Sequence, residues 1–378
     1  MERKQKKIKI LFTIPNFDTA GSGKALLNIA KGLDQKYFEP HIACLHDKGV
    51  GFKNIEKSGL PVHILQYIVP MAERIKGLIQ CWKISRTLKE INPDLIHSFH
   101  YAPDYSEALA ARMAGIPWVF TKKNMNWGGK SKNGWRLRSY LARHIIIQNT
   151  DMRMEFYPTS SNTTLIPRGV NLHEFSPKSS NNNSVEYLGI PRDSKVIMVI
   201  ANLVPVKGIE YLIEAFDLMC EKKKSFYIVI IGDDNNNYAK NLKKIAEKKY
   251  NGHKILFTGK RQDIPDLLKL AYVFVLPTLN QYRREGSPVV LLEAMAAGIP
   301  VLASNVSGSR DILSNIPNQL FSPEDVSSLE DKLNWIINLD KENRDDLIKS
   351  QLEILNEKYA IEREIEQHEL LYKNILQQ

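Results

Sequence analysis

Cysteine is scarce in this chain: Cys44, Cys81 and Cys220 are the whole complement among 378 residues. Their odd number, wide spacing and lack of a Cys-x-x-Cys pair support neither a disulfide framework nor a zinc site. A reducing, cytoplasmic compartment is expected. Nowhere does the sequence reach the roughly 18 uncharged apolar residues that a membrane-spanning helix needs. Five basic residues between Met1 and Lys9 precede only a short apolar run, so no signal peptide is expected. Glycine (20) and proline (18) stay at ordinary levels, which excludes collagen-like and low-complexity architectures.

What is present is a globular composition, 43% hydrophobic and 25% charged, on a chain too long for one ordinary core. Two domains are expected. The net charge of +10 is unevenly shared: residues 1–177 carry 26 basic and 14 acidic side chains, and residues 178–378 carry 26 and 28. The first half calls for a polyanionic partner. Charge alone does not choose between nucleic acid and an anionic membrane face.

Short apolar runs alternate with helical patterns from end to end. Strands are predicted, among others, at Ile8 to Pro15, Leu95 to Phe99, Val196 to Ala201 and Val273 to Leu276, each followed by a helix. This βα series implies parallel sheets covered on both faces, in an α/β, doubly wound arrangement. The polar stretch Pro177 to Val185, with the run SSNNNS, is the best linker. It separates a first domain, 1–176, from a second, 177–360. In such sheets ligands bind at the carboxyl ends of the strands, so two facing domains are expected to form a cleft there.

Gly21-Ser22-Gly23-Lys24 follows the first strand. A Walker A loop fails at Asp18 and Ala25, and a dinucleotide fingerprint fails at Leu26. What remains is a plain strand-to-helix turn, or a glycine loop whose backbone N–H groups approach a phosphate or a sugar. His97 and His100 end a strand without a Cys or carboxylate at ligand spacing, so no metal site is expected. The richest segment runs Glu285-Gly-Ser-Pro-Val-Val-Leu-Leu-Glu293-Ala-Met-Ala-Ala-Gly-Ile-Pro300. Gly286 and Ser287 open a helix, where N–H groups and the helix dipole favour an anion. A lone glutamate is usually a solvated surface acid. Glu293, however, sits among apolar neighbours, and a carboxylate there needs a hydroxyl or cationic partner.

This segment resembles the signature of retaining GT-B glycosyltransferases of glycosyltransferase family 4, with two glutamates followed by AMAxGxPV. Ala201 to Gly208 is similar to the family's donor-phosphate loop, Leu165 to Phe175 to its interdomain segment, Pro93 to His97 to its "PDVVH" strand, and Phe257 to Gly259 with Asp263 to its "F.G…D" turn. The resemblance implies two Rossmann-like domains facing across a cleft, with a terminal helix, 361–378, crossing back to the first. By position, Lys207 and Gly208 belong to the diphosphate site, and the N–H groups of the stretch Gly286 to Val289, which includes Ser287 and Pro288, are assigned to phosphate and sugar oxygens. Glu293 is assigned to the ribose hydroxyls and Glu285 to the donor sugar. Gly21, Ser22 and Gly23 cap the reaction centre, and one of His97 and His100 lines it. An arginine that many family members carry beside the donor lysine is missing, its two places being taken by Asn202 and Val204; either Lys260 or Arg261 supplies the charge, or the diphosphate is held less tightly.

The activity implied is transfer of a sugar, with retention, from a nucleotide-sugar to a hydroxyl of a saccharide or lipid-linked acceptor in surface polysaccharide synthesis. A UDP-sugar is favoured over a GDP-sugar. Neither a cofactor nor a metal is implied, because Lys207 and a helix N-terminus stabilise the leaving diphosphate. A sugar-nucleotide epimerase and a non-catalytic polysaccharide- or membrane-binding component are the alternatives, and nucleic acid is not an expected partner. Lys122, Lys123, Lys130, Lys132, Arg136, Arg138 and Arg143, around Trp127 and Trp135, form the expected contact with an anionic membrane face.

Overall fold

The computed structural model describes residues 6–17, 20–48, 51–126, 132–177, 185–220, 225–281 and 286–377. They form two compact units. One comprises the chain up to Arg168 together with Glu362 onward, and the other Gly169–Ile361.

In the first unit the described strands are β1 (Ile8–Thr13), β2 (Phe38–Cys44), β3 (Val62–Ile64), β4 (Leu95–Ser98), β5 (Trp118–Thr121), β6 (His144–Ile147) and β7 (Thr163–Leu165). They pair in parallel in the order β3-β2-β1-β4-β5-β6-β7. Crossovers carry α1 (Ala20–Gly32), α2 (Phe52–Glu56), α3 (Arg74–Ile91), α4 (Ser106–Ala114), α5 (Lys132–Leu141) and α6 (Thr150–Phe156). Alternate residues of β1 enter opposite cores, as the two-residue period of a strand requires. Ile10 and Phe12 pack towards Leu26 and Ile29 of α1, while Leu11 joins Cys81 and Leu88 of α3 and Ala108 of α4. Local chemistry sets helix ends: α3 stops at Asn92 in the left-handed region (φ 51), and Asn149 caps α6 by accepting from the Met152 N–H.

The second unit opens with α7 (Leu172–Phe175) and has described strands β8 (Lys195–Ile200), β9 (Phe226–Ile231), β10 (Ile255–Phe257), β11 (Ala271–Leu276), β12 (Val301–Ser304) and β13 (Leu320–Phe321), in the order β10-β9-β8-β11-β12-β13. Between and after them run α8 (Ile209–Cys220), α9 (Asn237–Glu247), α10 (Ile264–Leu268), α11 (Val289–Ala296), α12 (Ser309–Ile312), α13 (Val326–Ile337) and α14 (Lys341–Ile354). Only β13 escapes the sequence pattern, being two residues long. The final helix, α15 (Ile361–Gln377), returns to the first unit and buries Leu371, Tyr372 and Ile375 in the core that also holds Ile10 and Phe12.

The division falls at Arg168 rather than at 176/177, because Val170 bridges to Ala360 and Phe175 belongs to the second core. Most of the polar stretch read as a linker, 178–184, lies outside the described residues. Among the described residues no helix is long and apolar enough to cross a membrane.

Candidate functional site

In the second unit the loops leaving β8, β9, β10, β11 and β12 meet at the carboxyl edge of the sheet. Residues Pro205–Lys207 make one tight turn after β8, started by a proline whose φ suits it. Gly208 ends the turn at φ +60, and a Cβ there would lie 2.3 Å from the Pro277 carbonyl oxygen and 2.4 Å from Leu279 Cδ2. Conformation and space both demand glycine. The Leu279 N–H donates to the Val206 carbonyl at 2.8 Å. Together these contacts hold Lys207, 6% exposed, against the loop after β11. The N–H of Ala201 donates to the Ile231 carbonyl, and that of Gly232 to the Gly259 carbonyl, which ties in the ends of β9 and β10.

The signature segment is clamped from the β12 side. Gly308 has φ +81, and a Cβ on it would come within 2.8 Å of the Gly286 carbonyl oxygen and 3.0 Å of Pro288 Cδ. Gly286 and Pro288 are buried; Ser287 and Val289 are half-buried. Pro288 occupies the N-cap position of α11. Glu293 is half-buried within a helix whose Leu291, Leu292, Ala294 and Met295 are sealed in the core. Glu285 lies outside the described residues.

Of the two cations offered in place of the missing arginine, Arg261 is already engaged. It donates to both Asp263 oxygens, through Nε at 2.8 Å and Nη2 at 2.5 Å, and to Tyr187 Oη at 2.6 Å. The fork raises the arginine pKa and lowers that of Asp263. Lys260 is exposed and has no ion-pair partner among the described residues, and Asn202 is exposed as well. One group passed over in the sequence is Thr278, whose buried Oγ1 lacks a hydrogen-bond partner among the described residues. A single threonine carries no sequence signal.

In the first unit α1 starts at Ala20, so Gly21, Ser22 and Gly23 form its first turn rather than a loop before it. Gly21 is open to solvent, whereas a Cβ on Gly23 would meet Phe17 Cδ1 at 2.8 Å. Ser22 Oγ accepts from Lys123 Nζ at 3.1 Å. Lys123 stands just past β5, and its ammonium also donates to the Phe99 carbonyl. Burial, then the nearby Arg168 and Arg138, pull its pKa down to about 7. Arg168 pairs with Glu364 at 2.9 Å and lies 5.4 Å from the Phe99 ring centre. With the Gln148 amide turned so that its oxygen faces the guanidinium, that oxygen accepts from Arg168 Nε at 2.6 Å. Phe99 is thus the hub between the two cations.

The two histidines occupy different environments. His97 is fully buried: Nδ1 lies 2.7 Å from Tyr372 Oη, Nε2 lies 2.8 Å from Thr121 Oγ1, and His368 stacks on the ring at 5.5 Å. Burial holds its pKa well below the ordinary value. His100 sits beyond the end of β4, 9% exposed, with its carbonyl accepting from Arg138 Nη2 at 3.0 Å. Its Nδ1 is buried without a hydrogen-bond partner among the described residues, and burial lowers its pKa to about 3. It is neutral at pH 7.

The cations grouped by sequence around Trp127 and Trp135 do not form one surface patch. Lys122 is fully buried, donating to the carbonyls of Asn124 and Asn126 at 3.1 and 2.7 Å and lying 3.9 Å from the Phe156 ring centre. Arg138 is fully buried too, against the Asp104 and His100 carbonyls, and Trp135 is 1% exposed. Carbonyl oxygens and ring faces take the place of water for these charges, which a count of charges does not reveal. Lys132, Arg136 and Arg143 are exposed, while Trp127 and Lys130 lie outside the described residues. A cavity of about 430 Å³ near Arg112, Pro117, Tyr140 and Arg143 opens at the amino ends of β5 and β6, the edge opposite the groups above.

Two family models match the chain: "Glycosyltransferase Family 4" over residues 19–174 and "Glycosyl transferases group 1" over 180–352. Among curated relatives, the UDP-Gal:alpha-D-GlcNAc-diphosphoundecaprenol alpha-1,3-galactosyltransferase of Escherichia coli is 29% identical, over 65% of this chain and 66% of its own. The matched region covers 63 to 66% of the length of the first three such relatives, just under two thirds. A glycosyltransferase from Rickettsia africae ESF-5 superposes with a TM-score of 0.85 at 19% identity, over 98% of this chain and 99% of its own. HepE from Anabaena, solved in complex with UDP and glucose, gives 0.81 at 19% identity, over 97% and 99%. Their common fold is the two-sheet α/β architecture described above, and the two models leave only the chain ends and five residues near the middle unmatched. The chain therefore belongs to the GT-B glycosyltransferases of family 4 and group 1.

Proposed function

We propose that this protein transfers a sugar from a nucleotide-activated donor to a hydroxyl of a lipid-linked saccharide, with the anomeric configuration retained, in surface polysaccharide synthesis. The observation that carries the reading is the approach of Gly208 to Pro277 and Leu279, which sets Lys207 beside the loop leading to the signature helix. A diphosphate there meets an ammonium and the N–H groups at the start of α11, both preorganised before any charge develops. The leaving diphosphate needs no metal and the sugar no covalent nucleophile: the acceptor attacks from the face the diphosphate leaves, through an oxocarbenium-like state. Glu293 accepts from the ribose hydroxyls and Glu285 from the donor sugar. Gly21, Ser22 and Gly23 bring N–H groups to the reaction centre.

We assign the reaction-centre histidine to His100, because both ring nitrogens of His97 are occupied inside the core. Lys123 joins His100 as a group that meets an anion. A uridine donor is favoured because the galactosyltransferase relative uses UDP-Gal and HepE binds UDP. The same relative's diphosphoundecaprenol-linked acceptor supports a lipid-linked one here. A thermal-shift screen of nucleotide sugars tests the donor, since a ligand at a hundred times its dissociation constant adds about 2.7 kcal/mol. Transfer of label from the stabilising donor to a diphospholipid-linked saccharide tests the acceptor. Donor turnover without any transfer product favours an epimerase, and no stabilisation by any nucleotide sugar favours a non-catalytic role.

A further inference from the structure

Among the described residues, one face of α3 is left exposed to solvent. Its buried side is Gly77, Cys81, Ile84, Ser85 and Leu88, of which Cys81, Ile84 and Leu88 share a core with Leu11 and Ile96 of the sheet and Ala108 of α4. The opposite side exposes Ile75 (78%), Leu78 (44%), Ile79 (52%) and Trp82 (51%). Their spacing, i, i+3, i+4 and i+7, makes a continuous apolar stripe. Isolated exposed apolar residues are unremarkable, but four in register on one helix, one of them tryptophan, mark an interaction surface. The rim is cationic: α3 carries Arg74, Lys76, Lys83, Arg86 and Lys89 against Glu90 and the N-cap Glu73, which pairs with Lys76 at 3.6 Å, and the Arg86 guanidinium lies 4.6 Å from the Trp82 ring centre.

We propose that this face of α3 docks the protein on an anionic lipid bilayer, with Ile75, Ile79 and Trp82 entering the headgroup boundary and the flanking lysines and arginines pairing with lipid phosphates. Charge decides the occupant. A second copy of this chain would set five cations against the same five, which opposes association, whereas an anionic surface neutralises them. A basic helix with an apolar stripe ending in tryptophan has the composition of an interfacial helix. Helix α5, on the same side of the sheet, adds the exposed Lys132 and Arg136. The inference deepens the lipid-linked acceptor reading by bringing the enzyme to the surface that carries such a substrate, and it replaces the patch read from sequence around Trp135.

Vesicle sedimentation of the full chain tests it without turnover, so its failure leaves the donor and acceptor reading untouched, and the reverse holds. Wild-type protein pellets with vesicles of equal parts phosphatidylglycerol and phosphatidylcholine at low salt and stays in the supernatant with phosphatidylcholine alone. Ile79→Ser with Trp82→Ser lowers the bound-to-free ratio at least about tenfold while the melting temperature holds, since both side chains are exposed. Lys83→Glu with Arg86→Glu abolishes the preference for anionic vesicles. The proposal is overturned if wild-type protein stays in the supernatant with anionic vesicles, or if binding survives both double variants. It is equally overturned if the apolar variant's only effect is to dissolve a dimer seen by analytical ultracentrifugation.

Discussion

The imidazole Nδ1 of His97 and the phenol of Tyr372 meet at 2.7 Å across 275 residues of sequence, joining β4 to the last helix of the chain. Tyr372→Phe keeps the ring in its apolar bed but leaves His97 Nδ1 buried and unsatisfied, a cost of about 1–3 kcal/mol. Chemical denaturation should show this loss. Donor affinity should be unchanged, because neither Tyr372 nor His97 is among the groups proposed to touch the donor. A variant as stable as the wild type would remove the structural role assigned to the contact.

Acid should weaken the first unit well before its carboxylates titrate. Burial is the leading cause that lowers the folded pKa of His97, of His100 to about 3 and of His368 to about 4, all from 6.5. Each stays neutral in the fold while its unfolded counterpart takes up a proton. The stability they contribute is complete above pH 6.5 and is lost as pH falls towards 4 and 3, at up to about 1.4 kcal/mol per pH unit for each group. Glu107, whose pKa burial raises, works in the opposite sense but is one group against three. Melting temperatures at about pH 7.5 and about pH 5 should differ, and His368→Gln should reduce the difference. Equal melting temperatures in the wild type would contradict the burial of these rings.

Lys207→Ala and Glu293→Ala are expected to lose donor binding while the fold persists. Removing the lysine leaves a diphosphate without its main cation, a loss of roughly 2 to 5 kcal/mol in a desolvated site. Calorimetry with the stabilising nucleotide sugar measures it. Unchanged affinity in either variant overturns the assignment of the carboxyl edge of the second sheet.

Lys123 should matter to turnover more than to folding. Lys123→Arg keeps a cation able to reach Ser22 Oγ and the Phe99 carbonyl, and is expected to retain measurable kcat; Lys123→Ala should lose at least about tenfold. Comparable rates for the alanine variant and the wild type would return Lys123 to a packing role.

Activity should survive EDTA, since the reading above gives the diphosphate a lysine and a helix N-terminus. Complete loss on chelation, restored by manganese, would falsify the metal-independent mechanism.

The sequence by itself determined the alternation of strand and helix, the two sheets and the family. Those rest on local signals: apolar runs of strand length, glycines where the chain turns at positive φ, and a contiguous signature from Gly286 to Pro300. They are legible because each depends on residues within a few positions of one another. Tertiary structure alone decided which like residues differ. His97 and His100 are three apart and look equivalent, yet one is held by Tyr372 from the far end of the chain and the other stops at the rim of the sheet. Lys122 and Lys123 are adjacent, but one is consumed by carbonyls and a phenylalanine face while the other reaches Ser22. Arg261 looked like a spare cation until Asp263 and Tyr187 closed on it. The face proposed for the membrane lies on α3 rather than in the charge-rich segment around Trp135, because burial depends on what the rest of the chain packs against a residue. A charge in the sequence shows neither its depth nor its partner, and long-range packing fixes both.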